Sequence, residues 1–357
     1  MTVQQKYTHL VLIVRLQIPT EAHLSMMMQA LDLAPNLIAV LCGANAPRTP
    51  KNPFSVPERI AMVQDSLGPD LSESTQFVGV RDQVYNDGLW VESVIDAVNN
   101  ATLNYDNPKF ALVGGSEGKG SNYFRNMFPF WGSVEVDFVS PSRNGSDVTS
   151  MDLRHRYFSL NATDPADRGS MVDIWVKDGD VSEAVARFLH SFISTDHFAD
   201  LQEEYNYYGT YQEEWGTGPY ITVDACVFCG GNVLLVERGD APGRGLWALP
   251  GGFLDKGEWI ENAMVRELYE ETNLHIPQPV IRGSIKQRIT FDAPDRSERG
   301  RVITHGFLVH LAGETKKPKV KGGSDAKKAF WAPTNTLTPD KMFEDHYSII
   351  RKMMGLL

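Results

Sequence analysis

The hydrophobic rhythm of the chain changes near residue 195, and one sheet does not accommodate both halves. Before that point, strand-like apolar runs at 10–14, 36–42, 76–80, 110–114 and 134–139 alternate with helical periodicity at 21–33, 59–67, 89–98 and 182–193. Leu24, Met27, Met28 and Leu31 share one face of the first helix, and Pro57 stands at the start of the second. This alternation predicts an α/β domain, a parallel sheet with helices on both faces. Afterwards the runs at 221–228, 233–236, 280–290, 304–311 and 329–332 are β-like. Helical patterns there fall at 259–272 and 346–354, which predicts an α+β domain. Between them lies an acidic stretch with Tyr205, Tyr207, Tyr208, Tyr211 and Trp215, read as a connector whose aromatics dock on a domain surface. The expected boundaries are 1–195, a connector at 196–219, and 220–357. A length of 357 residues, 42% of them hydrophobic, supplies two cores.

Composition narrows the function classes. The net charge of −11 argues against a protein that rides on a nucleic-acid backbone. No apolar run reaches the ~18–20 residues of a membrane span, and the polar start lacks a signal-peptide core, so a cytoplasmic enzyme without a membrane partner is expected. Cys226 and Cys229 form a lone CxxC inside a strand-like run; zinc would need two further ligands, and two buried thiols explain the pair. The GxxxGK at 114–119 is one residue short of a phosphate-binding P-loop, with Gly120 where Ser or Thr would stand. Neither GxSxG nor HExxH occurs, so serine-hydrolase and zinc-protease readings have no residues to stand on.

The densest chemical signal is GFLDKGE at 252–258, then, after seven residues, RELYEETNL at 266–274. Glu267, Glu270 and Glu271 are spaced i, i+3 and i+4 on one helix, which turns their carboxylates to one face. Ile260, Met264 and Leu268 form the opposite, core-facing stripe. Three such carboxylates repel unless a cation sits among them, and all-oxygen ligands select a hard ion, Mg²⁺ or Mn²⁺. Arg266 can pair with Glu258 and fix the loop against the helix. Three glutamates alone would fit an ordinary solvated face. The fixed Gly252, Glu258, Arg266 and three further Glu positions co-occur by chance on the order of once in 10⁷ windows at average residue frequencies.

This spacing resembles the Nudix box, GX5EX7REUXEEXGU with U apolar. Asn273 stands where the family has Gly, at a helix end that wants a left-handed residue, and Asn is the next best. The resemblance implies a Nudix fold and divalent-metal-dependent hydrolysis of a nucleoside diphosphate linked to another group, with Glu267, Glu270 and Glu271 on the metal and Arg266 in the catalytic set. APGRGLWALPGGF at 241–253, FD at 291–292 through RSERGR at 296–301 and FEDHY at 343–347 look like the ADP-ribose pyrophosphatase branch of bifunctional NAD-metabolism proteins. Gly251, Gly252, Arg296 and Arg301 then become nucleotide-binding candidates; Arg296, Arg299 and Arg301 equally fit a solvated cationic loop.

The first half carries the matching resemblance. VRLQIPTEAHL at 14–24 leaves the first strand and enters the first helix, where a nucleotidyltransferase places its (H/T)xGH motif; Thr20 and His23 take the matching positions. A phosphate meets the helix N-terminus there, where free amides and the dipole favour anions. TSMDLR at 149–154 followed by Tyr157 and Phe158 resembles the second phosphate motif, with Arg154 as the neutralising cation. Asn52, Glu58, Arg59, the segment 82–90 with Trp90, and Phe128 through Trp131 look like the nicotinamide mononucleotide (NMN) adenylyltransferase domain fused to Nudix proteins. The resemblance implies a Rossmann-like nucleotidyltransferase followed by a Nudix domain, with Arg15, Thr20, Trp90 and Gly114 on nucleotide and His23 and Arg154 catalytic. Substrates would be ATP, NMN, NAD and ADP-ribose, with homo-oligomerisation open. Val14, Ala22 and Glu117 depart from the family's Gly, Gly and Lys. They keep alive a chain that only hydrolyses, with an inactive or ligand-sensing first domain. A Nudix-derived transcriptional regulator would have lost catalytic glutamates and gained a basic face, which this chain has not.

Overall fold

The structure, a computed structural model, describes residues 6–115, 124–137, 148–159, 165–311, 317–323 and 326–356. It divides into two compact units, Met1–Asp82 with Asp87–Gln202, and Gln83–Asn86 with Glu203–Leu357.

The first unit is built on β1 (His9–Val14), β2 (Asn36–Cys42), β3 (Thr75–Val80), β4 (Phe110–Gly115) and β5 (Gly132–Val136), paired in parallel in the order β3-β2-β1-β4-β5. Because both faces are covered, the strands are apolar at successive positions rather than alternately. Leu10 and Leu12 enter a cluster with Leu24 and Met27 of α1 (Glu21–Leu33). Val11 enters another with Val94 and Val98 of α3 (Asp87–Ala101). The strand order reverses between β1 and β4, and at such a reversal open α/β sheets take ligands beyond the carboxyl ends of the strands. α2 (Val56–Glu73) bends at Gly68, whose φ is 76°, next to Pro69, so the predicted end at residue 67 marks a kink rather than a terminus. The strand expected at 134–139 runs from Gly132 to Val136, and its predicted last residues lie outside the described ones. A helical layer follows: α4 (Ser150–Ser159), α5 (Pro165–Asp178), α6 (Glu183–Phe192) and α7 (Asp196–Trp215). The segment read as a connector is thus helical, and the division between the units falls within it, between Gln202 and Glu203.

The second unit holds a mixed sheet. β10 (Ile285–Phe291), β11 (Val302–His310), β6 (Tyr220–Cys229), β7 (Asn232–Arg238) and β12 (Ala326–Pro333) lie in that order, with β8 (Trp247–Ala248) on β7 and β9 (Gly251–Phe253) on β6. β11 and β6 pair in parallel and the others antiparallel. α8 (Ile260–Thr272) covers one face and α10 (His346–Met353) the other. The side chains of β6 alternate accordingly: Cys229 joins the cluster of Leu268, and Cys226 that of Ile349. Neither thiol is in a disulfide, and the two are buried on opposite faces. The expected strand at 280–290 needs correction. Its start is a helix, α9 (Gln278–Gly283), and β10 begins only at Ile285. Pro277 and Pro279 preset a helical first turn there, and Ile281 is buried against the α8 cluster, so tertiary packing overrides the β-propensity of Val280 and Ile281.

Candidate active sites of the two units

In the second unit, α8 sets the geometry. Met264 and Leu268 are fully buried beneath it, which turns Glu267, Glu270 and Glu271 toward β9. The helix ends at Asn273 in the left-handed region, φ 45° and ψ 40°, and the Asn273 side-chain amide donates to the Lys321 carbonyl at 3.0 Å. Asn therefore stands in for glycine without breaking the terminus. β9 lies against the carboxylates because it starts with two glycines. A Cβ at Gly252 would sit 2.5 Å from the Glu267 carboxylate, and one at Gly251 would sit 2.1 Å from the Val223 carbonyl. The Gly251 N–H donates to Glu271 at 3.0 Å.

Arg266 binds loop to helix. Its Nε and Nη2 reach both Glu258 oxygens at 3.1 and 2.9 Å, and Nη2 reaches the Phe253 carbonyl at 3.0 Å. Nη1 contacts Glu267 at 2.8 Å and Glu270 at 3.2 Å. Burial raises the Glu267 carboxyl above the ordinary range, and burial pushes Glu271 up to about 8, against the opposing Gly251 hydrogen bond. Among the described residues, no three His, Cys, Asp or Glu side chains are gathered tightly enough to hold a metal as they stand. Arg266 acts as counter-ion to Glu267 and Glu270 instead. The donor set nevertheless suits a hard dication: all oxygen, under-neutralised, and approached by a glycine backbone that leaves room.

These carboxylates open onto a cavity of about 540 Å³. Gly251, Gly252 and Arg296 line it, as do Asp224, Arg238, Arg299 and Phe343. Burial pushes Asp224 up to about 7, with Arg296 pulling the other way. The Arg238 guanidinium lies 4.2 Å from the Phe343 ring centroid, and Arg299 lies 5.6 Å from that of Phe253. Arg296 is buried and fully engaged rather than a free cation of a loop: it pairs with Asp345 at 2.7 and 2.9 Å and donates to Thr304 at 2.8 Å. Arg301 is not among the residues lining that cavity, and its Nη1 donates to the Asp292 carbonyl. Asp224 and Arg238 escaped the sequence reading. Their signals were a lone carboxylate inside the apolar run TVDACVF and a cation closing the run VLLVER.

In the first unit, the loop from Arg15 to Thr20 leaves β1 and caps α1. Leu16 and Ile18 hold left-handed φ values of 53° and 73° without being glycine, so the surroundings must fix them. They do: Arg59 donates to the Arg15 carbonyl at 2.6 Å, Arg154 to Gln17 at 2.7 Å and Ser150 to Ile18 at 2.6 Å. Arg15 pairs with Asp82 at 2.8 Å. The Thr20 N–H donates to His23 Nδ1 at 3.2 Å, and burial lowers the ring's pKa to about 4. Val14 packs against the α1 cluster and Ala22 is buried, so both added side chains go into packing; Glu117 lies outside the described residues. Gly114 lies at the end of β4, across the topological switch. Trp90 packs into an aromatic group with Phe124 and Phe128.

Fold and sites together define a nucleotidyltransferase-like domain followed by a diphosphate-hydrolysing one. The cytidylyltransferase-like family matches residues 15–156, and the NUDIX domain family matches residues 219–353. The chain belongs to the Nudix family. It is 37% identical over 137 residues, 38% of this chain and 73% of the relative, to an ADP-ribose pyrophosphatase of Methanocaldococcus jannaschii. It is 28% identical over 200 residues, 56% of this chain and 94% of the relative, to a nicotinamide/nicotinic acid mononucleotide adenylyltransferase of Acinetobacter baylyi. A bifunctional NMN adenylyltransferase/ADP-ribose pyrophosphatase of Francisella tularensis, solved with AMP and a manganese ion, is similar over 98% of this chain and 99% of its own. The TM-score is 0.83 and the identity 29%.

Proposed function

We propose that the chain carries two activities of NAD metabolism. The first domain joins NMN to the AMP moiety of ATP and releases pyrophosphate. The second hydrolyses ADP-ribose to AMP and ribose 5-phosphate, with Mg²⁺ as the working ion, Mn²⁺ as its substitute, and the cytoplasm as its setting. The observation that carries this reading is the end-to-end similarity to a protein bearing both activities. Each half separately resembles a relative named for one of them.

In the hydrolase, Glu267, Glu270 and Glu271 would hold the divalent ion. Such an ion, when bound, neutralises diphosphate oxygens and lowers the pKa of a water for attack at phosphorus. Arg266 keeps the 252–258 loop and α8 in one piece, and Arg238 and Arg299 give the cavity cations suited to a diphosphate. In the transferase, His23 Nδ1 is taken by the Thr20 amide, so the neutral ring carries its proton on Nε2 and can donate it to a phosphate. Arg154 adds charge, and the start of α1 adds free amides. Alignment of two phosphates and neutralisation of developing charge are enough; no covalent intermediate is needed.

Incubation with NMN, ATP and Mg²⁺ should yield NAD, and incubation with ADP-ribose should yield AMP. No NAD, together with calorimetric silence toward NMN and ATP, would remove the first activity. No AMP from ADP-ribose would remove the second.

A further inference from the structure

Gln83–Asn86 belong to the C-terminal unit, although the rest of that unit begins at Glu203. Tyr85 explains the grouping. Its ring meets Phe291 edge-on with centroids 5.1 Å apart, and its hydroxyl donates to Asp345 Oδ2. The same Oδ2 accepts from Arg296 Nε at 2.9 Å, and Oδ1 accepts from Nη2 at 2.7 Å. Arg296 Nη1 donates to Thr304 Oγ1, which bonds the Thr222 hydroxyl. The Arg296 and Asp345 side chains are 2% and 3% exposed, and Thr222, Arg296 and Thr304 line the hydrolase cavity.

A buried ion pair is tolerable only when its remaining lone pairs and protons are met. Here Asp345 Oδ2 needs two donors, and one of them is Tyr85. Burial beside Asp345 raises the Tyr85 phenol above its ordinary range, so the hydroxyl keeps the proton it donates. A competitor exists for the guanidinium: Asp224, in the same cavity, also attracts Arg296. We propose that Tyr85 is a positioning residue of the hydrolase site, holding Asp345 and, through it, the Arg296 guanidinium in the orientation that lines the cavity for a nucleoside diphosphate. The inference rests on the ADP-ribose reading of that cavity. The sequence hides it, because Tyr85 lies in the half of the chain that carries the transferase motifs.

The test is Tyr85→Phe in the full chain, which removes one hydroxyl and keeps the ring on Phe291. KM for ADP-ribose should rise roughly tenfold, equivalent to about 1.4 kcal/mol, with kcat nearly unchanged and the melting temperature lowered by roughly a few degrees, because buried Asp345 Oδ2 loses one of its two donors. Combined with Asp345→Asn, the effect of Tyr85→Phe should shrink, because both act on one guanidinium. An activity-free readout is hydrogen exchange of the Arg296 Nε–H by NMR, which should speed up in Tyr85→Phe. Unchanged KM and unchanged exchange would overturn the proposal, as would a fallen melting temperature with exchange unaltered. If the wild-type chain fails to hydrolyse ADP-ribose, the functional reading falls instead, and the Arg296 exchange alone decides the positioning role.

Discussion

The two sites solve opposite electrostatic problems. The hydrolase gathers carboxyl groups: three glutamates on one helix face, tied by Arg266 and a glycine strand, with Asp224 on a neighbouring strand, and burial raises Glu271 to about 8 and Asp224 to about 7. The transferase gathers donors around a loop. Arg59, Arg154 and Ser150 each donate to one of its carbonyls, and that network, rather than glycine, keeps Leu16 and Ile18 left-handed. A site that waits for a cation must be under-neutralised, and a site that receives anions must be rigid with donors to spare. The first arrangement is written in side-chain spacing along one helix. The second is written in backbone carbonyls that residues far apart in sequence come to satisfy.

Charge removal should break this contrast most sharply. Glu271→Gln keeps the apolar stripe of α8 and deletes a buried carboxylate, so ADP-ribose hydrolysis should fall by at least the order of 10²-fold, while NAD synthesis continues. Without metal the variant should melt at about the wild-type temperature near neutral pH, where Glu271, pushed up to about 8 by burial, keeps its proton, and at a slightly higher temperature above pH 8, where the wild type must bury the charge. Near-normal metal-dependent turnover would sink the assignment. The mirror experiment is His23→Ala. It removes one preorganised donor and should lower NAD synthesis roughly 10²- to 10³-fold, with ADP-ribose hydrolysis untouched. Loss of both activities would mean a folding defect rather than a lost donor.

A smaller effect sharpens the domain side of the comparison. The C-terminal unit has its own clusters around α8 and α10, so a chain of residues 203–357 should be soluble and hydrolyse ADP-ribose. It lacks Tyr85, so its KM should be raised to about the level of Tyr85→Phe, roughly tenfold over the full chain. Wild-type KM in the short chain would contradict the role of Tyr85; aggregation would mean that the boundary is misplaced.

Periodicity made the parallel sheet and the α8 stripe legible, since Leu10, Val11, Met264 and Leu268 bury as spaced. The carboxylate helix was legible because Glu267, Glu270 and Glu271 are neighbours in sequence as well as in space. Legibility stopped where tertiary context decides. Val280 and Ile281 read as strand until Pro277, Pro279 and the α8 packing made a helix of them. The anchoring of Arg296 was hidden, because its partner Asp345 is 49 residues away and Tyr85 is 260 from that aspartate. Asp224 and Arg238 carry no local motif, and only the pairing of β6 with β9 and of β7 with β8 brings them to the cavity.

One device is shared by both units, and it yields the gentlest test. In each, a histidine Nδ1 accepts a backbone N–H: Thr20 to His23 at 3.2 Å, and Leu249 to His346 at 2.9 Å. Burial lowers both rings, His23 to about 4 and His346 to about 3. The folded state therefore favours the neutral ring, whereas the unfolded chain takes a proton near pH 6.5. The stabilisation is complete above pH 6.5 and is lost as pH falls toward those lower values, at up to about 1.4 kcal/mol per pH unit for a single fully buried ring. His346, 7% exposed, should approach that slope, and the less buried His23 should fall short of it. Asp224 and Glu271, raised by burial to about 7 and about 8, stabilise in the opposite sense as pH falls, so the histidine is read as a difference between denaturant melts: between pH 7 and 5 the stability advantage of the wild-type 203–357 chain over His346→Gln should narrow on acidification. A wild-type slope that His346→Gln leaves unchanged would assign the acid sensitivity to other groups, and would separate the two histidines that the hydrogen-bond geometry pairs.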